Sequence, residues 1–337
     1  MSGLVVGIHT HGGPGIGLGH VRRCLTLADA LARLDARVTF VVNDDPGVLS
    51  LVGRHGFEAV RVFQAPGQPA PILRVLAERR AYVLVTDSYD IGTDYLAAVC
   101  RHVEVLVALD DLADRPLPVD VVVNGAVGAE MLPYPTLTGA RLLLGPAYSL
   151  LRDEFALEPE RSIRLRVGRI LVTVGGGDPQ NLTRRLVQWV RETLPDVALD
   201  VVIGPFFASE PGIADARTTL HRDPQNMCNL MLACDLALCG GGQTTYELAA
   251  TGTPALAVQV AENQTHSLAG LSRAGTLVLA GDVNGADLES RVKTGLASLV
   301  NDVERRAMMS ANGRALVDGR GAQRVAQAIV EYVGGRL

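Results

Sequence analysis

His20 follows Gly17-Leu18-Gly19 and opens the first helical stretch after the first apolar strand. A helix start keeps a histidine ring neutral more readily than charged. A neutral imidazole there can take a proton from an attacking water or an acceptor hydroxyl. The same place also suits a histidine that only bonds to backbone. His9 and His11 lie in the same loop and read as supporting or substrate-contacting groups. Asp87 ends a later strand, with Tyr89 just beyond it. That tyrosine can hydrogen-bond a sugar or a water, or simply line a rim. Asp110 and Asp111 end another strand. A Mg²⁺-diphosphate role is conceivable for them, and capping or pairing with arginine is the simpler use.

A second stretch of this kind lies at 237–252. An apolar run ends in Gly240, Gly241 and Gly242, and Thr244 opens a helix that carries Glu247. Strand, glycine turn and helix aim backbone N–H groups and a positive helix end at an anion. Glu247 could accept hydrogen bonds from both ribose hydroxyls. Thr244-x-x-Glu247 equally spells a capping box. Gly175-Gly176-Gly177-Asp178-Pro179 close the first strand of the second half and read as a turn toward the ligand and a hinge. Asn263 follows a strand at the N-cap position of the next helix, where it could cap or hold sugar hydroxyls or the diphosphate. Glycosidases pair two carboxylates because the leaving alcohol needs a proton. A nucleoside diphosphate leaves without one, so a single base plus backbone donors suffices. The lack of a clear carboxylate pair therefore fits chemistry on a nucleotide sugar.

Composition narrows the choice further. The chain has 337 residues, enough for two domains, with 48% hydrophobic and 20% charged residues. Aromatics make up 4% and the net charge is −5. Both argue against nucleic acid, which wants stacking faces or basic patches. No apolar run reaches the length of a membrane span. The N-terminus runs straight into a strand pattern without a charged leader, so a cytoplasmic protein is expected. Cys24, Cys100, Cys228, Cys234 and Cys239 form no C-x-x-C pair and read as buried small hydrophobes. Lys293 is the only lysine, which removes a P-loop and leaves little room for Schiff-base chemistry.

The elements that must position these residues alternate. Strands are expected at 4–8, 37–42, 58–63, 82–86, 103–109, 119–123 and 142–144, with helices at 20–34, 46–54, 72–80 and 92–101. Val21, Leu25, Ala28 and Leu31 recur at helical spacing in the first helix, with Arg22, Arg23 and Asp29 on other faces. A Pro-rich loop fills 64–69. The polar stretch 146–166, with Glu154, Glu158 and Glu160, reads as a linker. Beyond it strands are expected at 170–174, 198–203, 218–220, 236–239, 255–260 and 276–279. Helices are expected at 181–194, 227–233, 244–250, 265–274, 286–300, 303–316 and 322–332. This is an α/β chain of two Rossmann-like doubly wound domains, 1–155 and 165–320, facing a cleft, with a final helix 321–337 free to pack back on the first.

The motifs also resemble a known family. Gly17-Leu18-Gly19-His20-Val21-Arg22-Arg23-Cys24 is similar to the G-x-G-H-x-x-R-C signature of the UDP-sugar hydrolases of the pseudaminic acid pathway. Asp87-Ser88-Tyr89, Leu109–Arg115, Leu143–Phe155, Gly175–Pro179, Gly241–Glu247 and Ala261–Gln264 resemble further blocks, in order along nearly the whole chain. The loop His9–Pro14 departs from the pattern, where the family has an arginine and an acid, and Arg22 replaces an apolar residue. The resemblance implies the GT-B glycosyltransferase fold. It also implies loss of UDP from a deoxyamino sugar with inversion, without metal or cofactor. Glycosyltransferases of the same fold carry a similar loop and remain the alternative. The expected catalytic residues are His20, Asp87 and Tyr89. Gly176, Gly177, Gly241, Gly242, Gln243, Thr244 and Glu247 are expected on the nucleotide, and Gly19, His11, Asn263 and Gln264 on the sugar. A UDP-sugar is the expected partner.

Overall fold

The computed structural model describes residues 3–13, 15–63, 68–134, 140–156, 161–208, 211–213 and 215–336. Pro14, Glu158, Glu160 and most of the Pro-rich loop therefore lie outside the described residues. The chain divides into two compact units. The first comprises Met1–Arg152 and Arg320–Leu337, the second Asp153–Gly319.

The first unit is built on a seven-stranded parallel sheet. In chain order its strands are β1 (Val5–Thr10), β2 (Arg37–Asn43), β3 (Glu58–Val62), β4 (Val83–Asp87), β5 (Val105–Leu109), β6 (Val121–Asn124) and β7 (Arg141–Leu144). In space they run β3-β2-β1-β4-β5-β6-β7. Strands β4 and β5 are buried at every residue, as expected where helices cover both faces of a parallel sheet. Between them run α1 (Gly19–Ala32), α2 (Pro46–Arg54), α3 (Ala70–Arg79) and α4 (Thr93–Val99). The stripe Val21, Leu25, Ala28 and Leu31 of α1 is buried as its spacing requires.

The second unit repeats the plan with six parallel strands. These are β8 (Arg169–Thr173), β9 (Ala198–Ile203), β10 (Thr218–Arg222), β11 (Leu236–Gly240), β12 (Ala255–Gln259) and β13 (Leu277–Asp282). They run β10-β9-β8-β11-β12-β13. The helices are α5 (Leu182–Thr193), α6 (Met227–Ala233), α7 (Thr244–Ala250), α8 (Thr265–Arg273), α9 (Leu288–Asn301) and α10 (Val303–Leu316). Its core joins Val172, Leu186, Trp189, Leu238, Leu256 and Leu296. Among the described residues no helix is long and apolar enough to cross a membrane.

Two elements differ from their sequence pattern. Strand β13 continues past Leu279 to Asp282, because Gly281 at φ +130° lets it follow β12 through a register shift. The stretch 146–166 is not a plain linker. It holds 3₁₀ turns at Pro146–Tyr148 and Asp153–Phe155, and Leu151 and Phe155 are buried. The last helix, α11 (Gly321–Gly334), belongs to the first unit. It buries Ala322, Val325, Ala326, Ile329 and Val333, and Arg324 donates to the Ala147 carbonyl at 3.0 Å.

Candidate functional site

In each sheet the order of strands reverses at one place. The reversal falls between β1 and β4 in the first unit and between β8 and β11 in the second. Ligands of open parallel sheets bind outside the strand carboxyl ends at such a switch point. His11, His20, Asp87 and Tyr89 fall at the first of these places and Gly176, Gly177 and Gly241–Thr244 at the second, while Asp110 and Asp111 follow β5 and Asn263 and Gln264 follow β12. Asp87, the last residue of β4, lies opposite Thr10, the last residue of β1. His11 follows β1 directly, and α1 returns over this edge carrying His20 and Arg23.

His20 Nδ1 lies 2.6 Å from Asp87 Oδ1. Arg23 Nη2 is also near that nitrogen, at 3.1 Å, but it donates to Asp87 Oδ1 at 2.6 Å. The carboxylate contact is the shorter and the charge-assisted one, so Nδ1 carries the proton and donates to Asp87. In the neutral ring the basic lone pair is then on Nε2. Asp87, 1% exposed, also accepts from Arg23 Nε at 2.6 Å and from the Cys24 thiol at 3.4 Å. Burial alone would raise its pKa. The Arg23 charge and hydrogen bonds, joined by His20, outweigh that and hold it well below the usual carboxylate range. The Cys24 thiol is pushed up by burial and by Asp87, so it is a packed neutral group.

Arg23 extends the cluster. Its Nη1 donates to both Asp111 oxygens, at 2.8 and 2.9 Å. Burial opposes its charge, but Asp111 and Asp87 more than compensate and its pKa is raised. The Tyr89 hydroxyl donates to Asp111 Oδ2 at 3.0 Å, and the Tyr89 ring stands edge-on to His20 with centroids 4.7 Å apart. The sequence pattern put Arg23 off the apolar face of α1 and gave it no role of its own. It lies three residues after His20, and that spacing on a helix shares a face.

His9 and His11 form a chain beneath this group. Tyr95 Oη lies 3.0 Å from His9 Nδ1, His9 Nε2 lies 3.1 Å from His11 Nε2, and His11 Nδ1 lies 2.7 Å from Ser88 Oγ. Tyr95 is almost fully buried and has one proton to place. Donation to His9 therefore sets the run His9 to His11 to Ser88. His9 is fully buried and supports His11. Burial, with help from His11, takes its pKa down to about 3. His11 is lowered chiefly by burial too. Asn43 clamps the loop from β2, accepting from Gly12 N at 3.0 Å and donating to Gly12 O at 2.8 Å. The sequence reading gave no role to Asn43 at the end of β2, to Ser88 within the Asp87-Ser88-Tyr89 block or to Tyr95 in α4. Gly19 has open space where a Cβ would stand. Asp110 accepts from Leu112 N and Ala113 N and faces Arg115 at 3.5 Å, so it caps a turn. Among the described residues no three His, Cys, Asp or Glu side chains converge as a metal site.

In the second unit the two glycine turns meet. A Cβ on Gly240 would lie 2.8 Å from the Val174 carbonyl oxygen. Gly176 O accepts from Phe206 N at 2.9 Å, which ties Gly176 and Gly177 to the turn after β9. Asp178 takes the N–H groups of Leu182 and Thr183 at 2.7 and 2.8 Å, so α5 is capped from within. Helix α7 has Gln243 as its N-cap, and the Gln243 side chain makes no cap hydrogen bond. The capping box that Thr244 and Glu247 spell does not form, because Thr244 already stands inside the helix. Thr245, not Thr244, turns its hydroxyl back, to Gly242 O at 2.8 Å. Nor is Asn263 an N-cap. It stands exposed in the 3₁₀ turn Glu262–Gln264, and Gln264 precedes α8. Gln264 Oε1 accepts from Val260 N at 3.0 Å and packs on Gly241, where a Cβ would lie 2.6 Å from it.

No protein-family profile matches the chain. It is 25% identical to the spore coat polysaccharide biosynthesis protein SpsG of Bacillus subtilis, over 95% of this chain and 96% of that one. It is 26% identical to the uncharacterized protein MJ1062 of Methanocaldococcus jannaschii, over 77% of this chain. A third relative, from Helicobacter pylori, is named as pseudaminic acid cytidylyltransferase and UDP-2,4-diacetamido-2,4,6-trideoxy-beta-L-altropyranose hydrolase. It is 24% identical over 74% of this chain. The chain spans 57% of the archaeal protein's length and 43% of the Helicobacter protein's. Among solved structures, MurG of Acinetobacter baumannii superposes with a TM-score of 0.65 at 16% identity, covering 97% of this chain and 99% of MurG. MnaA of S. aureus, solved with UDP, gives 0.68 at 13% identity, covering 99% and 97%. The chain has the GT-B fold. In GT-B terms the first unit is the N-terminal Rossmann-like domain, closed by α11, and the second is the C-terminal one.

Proposed function

We propose that the protein acts on a UDP-sugar as an inverting hydrolase that needs no metal, releasing UDP and a free deoxyamino sugar. The observation that carries this reading is the dyad at the first switch point, His20 Nδ1–H on Asp87 at 2.6 Å. An ionised Asp87 fixes the tautomer and leaves Nε2 to accept a proton. A water oxygen bonds to the anomeric carbon while its proton passes to Nε2. The bond from that carbon to the β-phosphate oxygen breaks, and its electron pair leaves on UDP. In this reading the second unit takes the nucleotide, with diphosphate at the Gly242 turn and the start of α7 and with ribose on Glu247. His11 and Asn263 are assigned to the sugar.

A second reading replaces water with a sugar hydroxyl and makes the protein a glycosyltransferase. The His9–Gly13 loop favours it, since that loop differs from the hydrolase pattern, and SpsG is named for polysaccharide biosynthesis. One experiment separates the two. The protein is incubated with a panel of UDP-sugars, among them UDP-2,4-diacetamido-2,4,6-trideoxy-altropyranose, in EDTA, with and without acceptor sugars. UDP release in the absence of acceptor is expected. Release only with an acceptor establishes the transferase, and activity that EDTA abolishes and Mg²⁺ restores refutes the metal-free reaction.

A further inference from the structure

Arg23 has the profile of a ligand-binding arginine: it stands in a glycine-loop motif beside a catalytic candidate. Its hydrogen bonds point elsewhere. Nε and Nη2 lie on the two oxygens of Asp87, both at 2.6 Å, and Nη1 on the two oxygens of Asp111. Every nitrogen of the fork is committed to a protein carboxylate, so little is left for a phosphate.

Each of those carboxylates holds a second group. Asp87 holds His20, and Asp111 holds the Tyr89 hydroxyl at 3.0 Å. The rings of His20 and Tyr89 then touch, edge to face, at 4.7 Å. The five side chains make a closed circuit, His20–Asp87–Arg23–Asp111–Tyr89. It draws on α1, the end of β4 and the loops after β4 and β5. Tyr89 is 45% exposed on its loop, and its hydroxyl is tied to Asp111. Arg23 in turn fixes Asp111. Charge points the same way. With His20 neutral the circuit carries one cation against two carboxylates. A proton arriving on His20 balances it, which it would not do if Asp111 were absent and Arg23 already neutralised Asp87.

We infer that Arg23 and Asp111 are positioning residues. They lock the orientation of the His20–Asp87 dyad and hold Tyr89 over His20, and Arg23 is not a contact to the nucleotide sugar. This rests on the reading of His20 as the base. Asp111→Asn keeps the shape and an acceptor for Tyr89 but removes the charge that pairs with Arg23. Arg23→Lys keeps the charge but cannot reach both carboxylates in a fork. The UDP-sugar that turns over in the panel is the substrate, and His20→Asn is made alone and with each variant. Each single variant is expected to lower kcat roughly 10–100-fold, the usual size for losing a partner that orients a histidine, with KM nearly constant. In the His20→Asn background neither should lower the rate further, since groups that act as a unit are not additive. The second readout needs no turnover. The ¹⁵N spectrum of histidine-labelled protein, with the His20 signal assigned by its loss in His20→Asn, should show one tautomer protonated at Nδ1. In Asp111→Asn it should show a mixture.

The outcomes separate cleanly. An inactive His20→Asn with Arg23→Lys and Asp111→Asn both at wild-type kcat, and an unchanged His20 signal, overturns the positioning role and leaves the base in place. An active His20→Asn whose tautomer still responds to Asp111→Asn refutes the base while the circuit stands. A raised KM at constant kcat in Arg23→Lys makes Arg23 a substrate contact and ends the proposal. If Arg23→Lys fails to fold, Asp111→Asn, at a partly exposed position, decides alone.

Discussion

A base that works through Nε2 must keep its other nitrogen protonated, and that is what Asp87 does for His20. His20→Asn keeps a side-chain amide near Asp87 but has no basic nitrogen to take the proton. The expected loss in kcat is ~10²–10⁴-fold, with UDP affinity by calorimetry unchanged. A variant within a few-fold of wild type removes His20 from the chemistry. His9 makes a different prediction, about stability. Its pKa is taken down to about 3 in the folded protein, against about 6.5 unfolded. Between those values the unfolded chain binds the extra proton, so stability rises with pH. The contribution is whole above about pH 6.5 and is lost as pH falls toward 3. The slope reaches ~1.4 kcal/mol per pH unit, or about 2 kcal/mol between pH 7 and 5. His11 is lowered in the same direction. Urea midpoints should fall on acidification in the wild type and fall less in His9→Gln; equal falls would refute the assignment. The residues of this site were unevenly legible. His20 and Asp87 could be read because each ends a recognisable strand or loop. Pairing with an arginine was expected for Asp111, but which arginine could not be read, since Arg23 stands 88 positions away and only the sheet order brings the two together.

At the scale of elements the alternation of apolar runs and amphipathic stretches placed the strands and helices, because β-strands buried on both faces leave an unbroken apolar signal. Helix starts were harder. Thr244 and Glu247 have the spacing of a capping box, but α7 begins one residue too early to use it. Local spacing does not fix where the first helical residue falls. The two glycines before α7 then separate packing from binding. A Cβ on Gly241 would stand 2.4 Å from Leu268 Cδ1 and 2.6 Å from Gln264 Oε1. Leu268 is fully buried and Gln264 is anchored on Val260 N, so neither swings aside cheaply. Gly241→Ala should cost ~1–3 kcal/mol of stability, as overpacking does. Gly242 has nothing within 4 Å of its Cβ position. Gly242→Ala should melt like wild type and bind UDP at least about tenfold more weakly, or ~1.4 kcal/mol, because the methyl stands where the diphosphate would approach. Normal UDP binding by Gly242→Ala takes the diphosphate away from this turn.

For the whole molecule, composition and alternation foretold two doubly wound domains, and the strand order supplies what they could not, the switch points that gather most of the candidates. The chain crosses between the units twice, near Arg152 and near Arg320, and its last helix finishes the first unit. That helix buries Val325, Ile329 and Val333 with almost no exposure. At ~1.5–3 kcal/mol for each such side chain, their loss amounts to ~5–9 kcal/mol, against a total of ~5–15 kcal/mol for an ordinary domain. A chain ending at Arg320 should therefore lose most of the order of its first unit. The second unit keeps its own core, and it holds the only tryptophan, Trp189, 5% exposed within that core. Trp189 emission thus reports on one unit alone. In the truncated chain the far-UV signal of helix should fall by more than the missing helix explains, while Trp189 keeps its buried emission and its urea midpoint. UDP binding, assigned to the second unit, should persist while turnover is lost. A truncated protein with full turnover would show that α11 is dispensable to the first unit, and a Trp189 midpoint that collapses with it would show that the second core does not stand by itself.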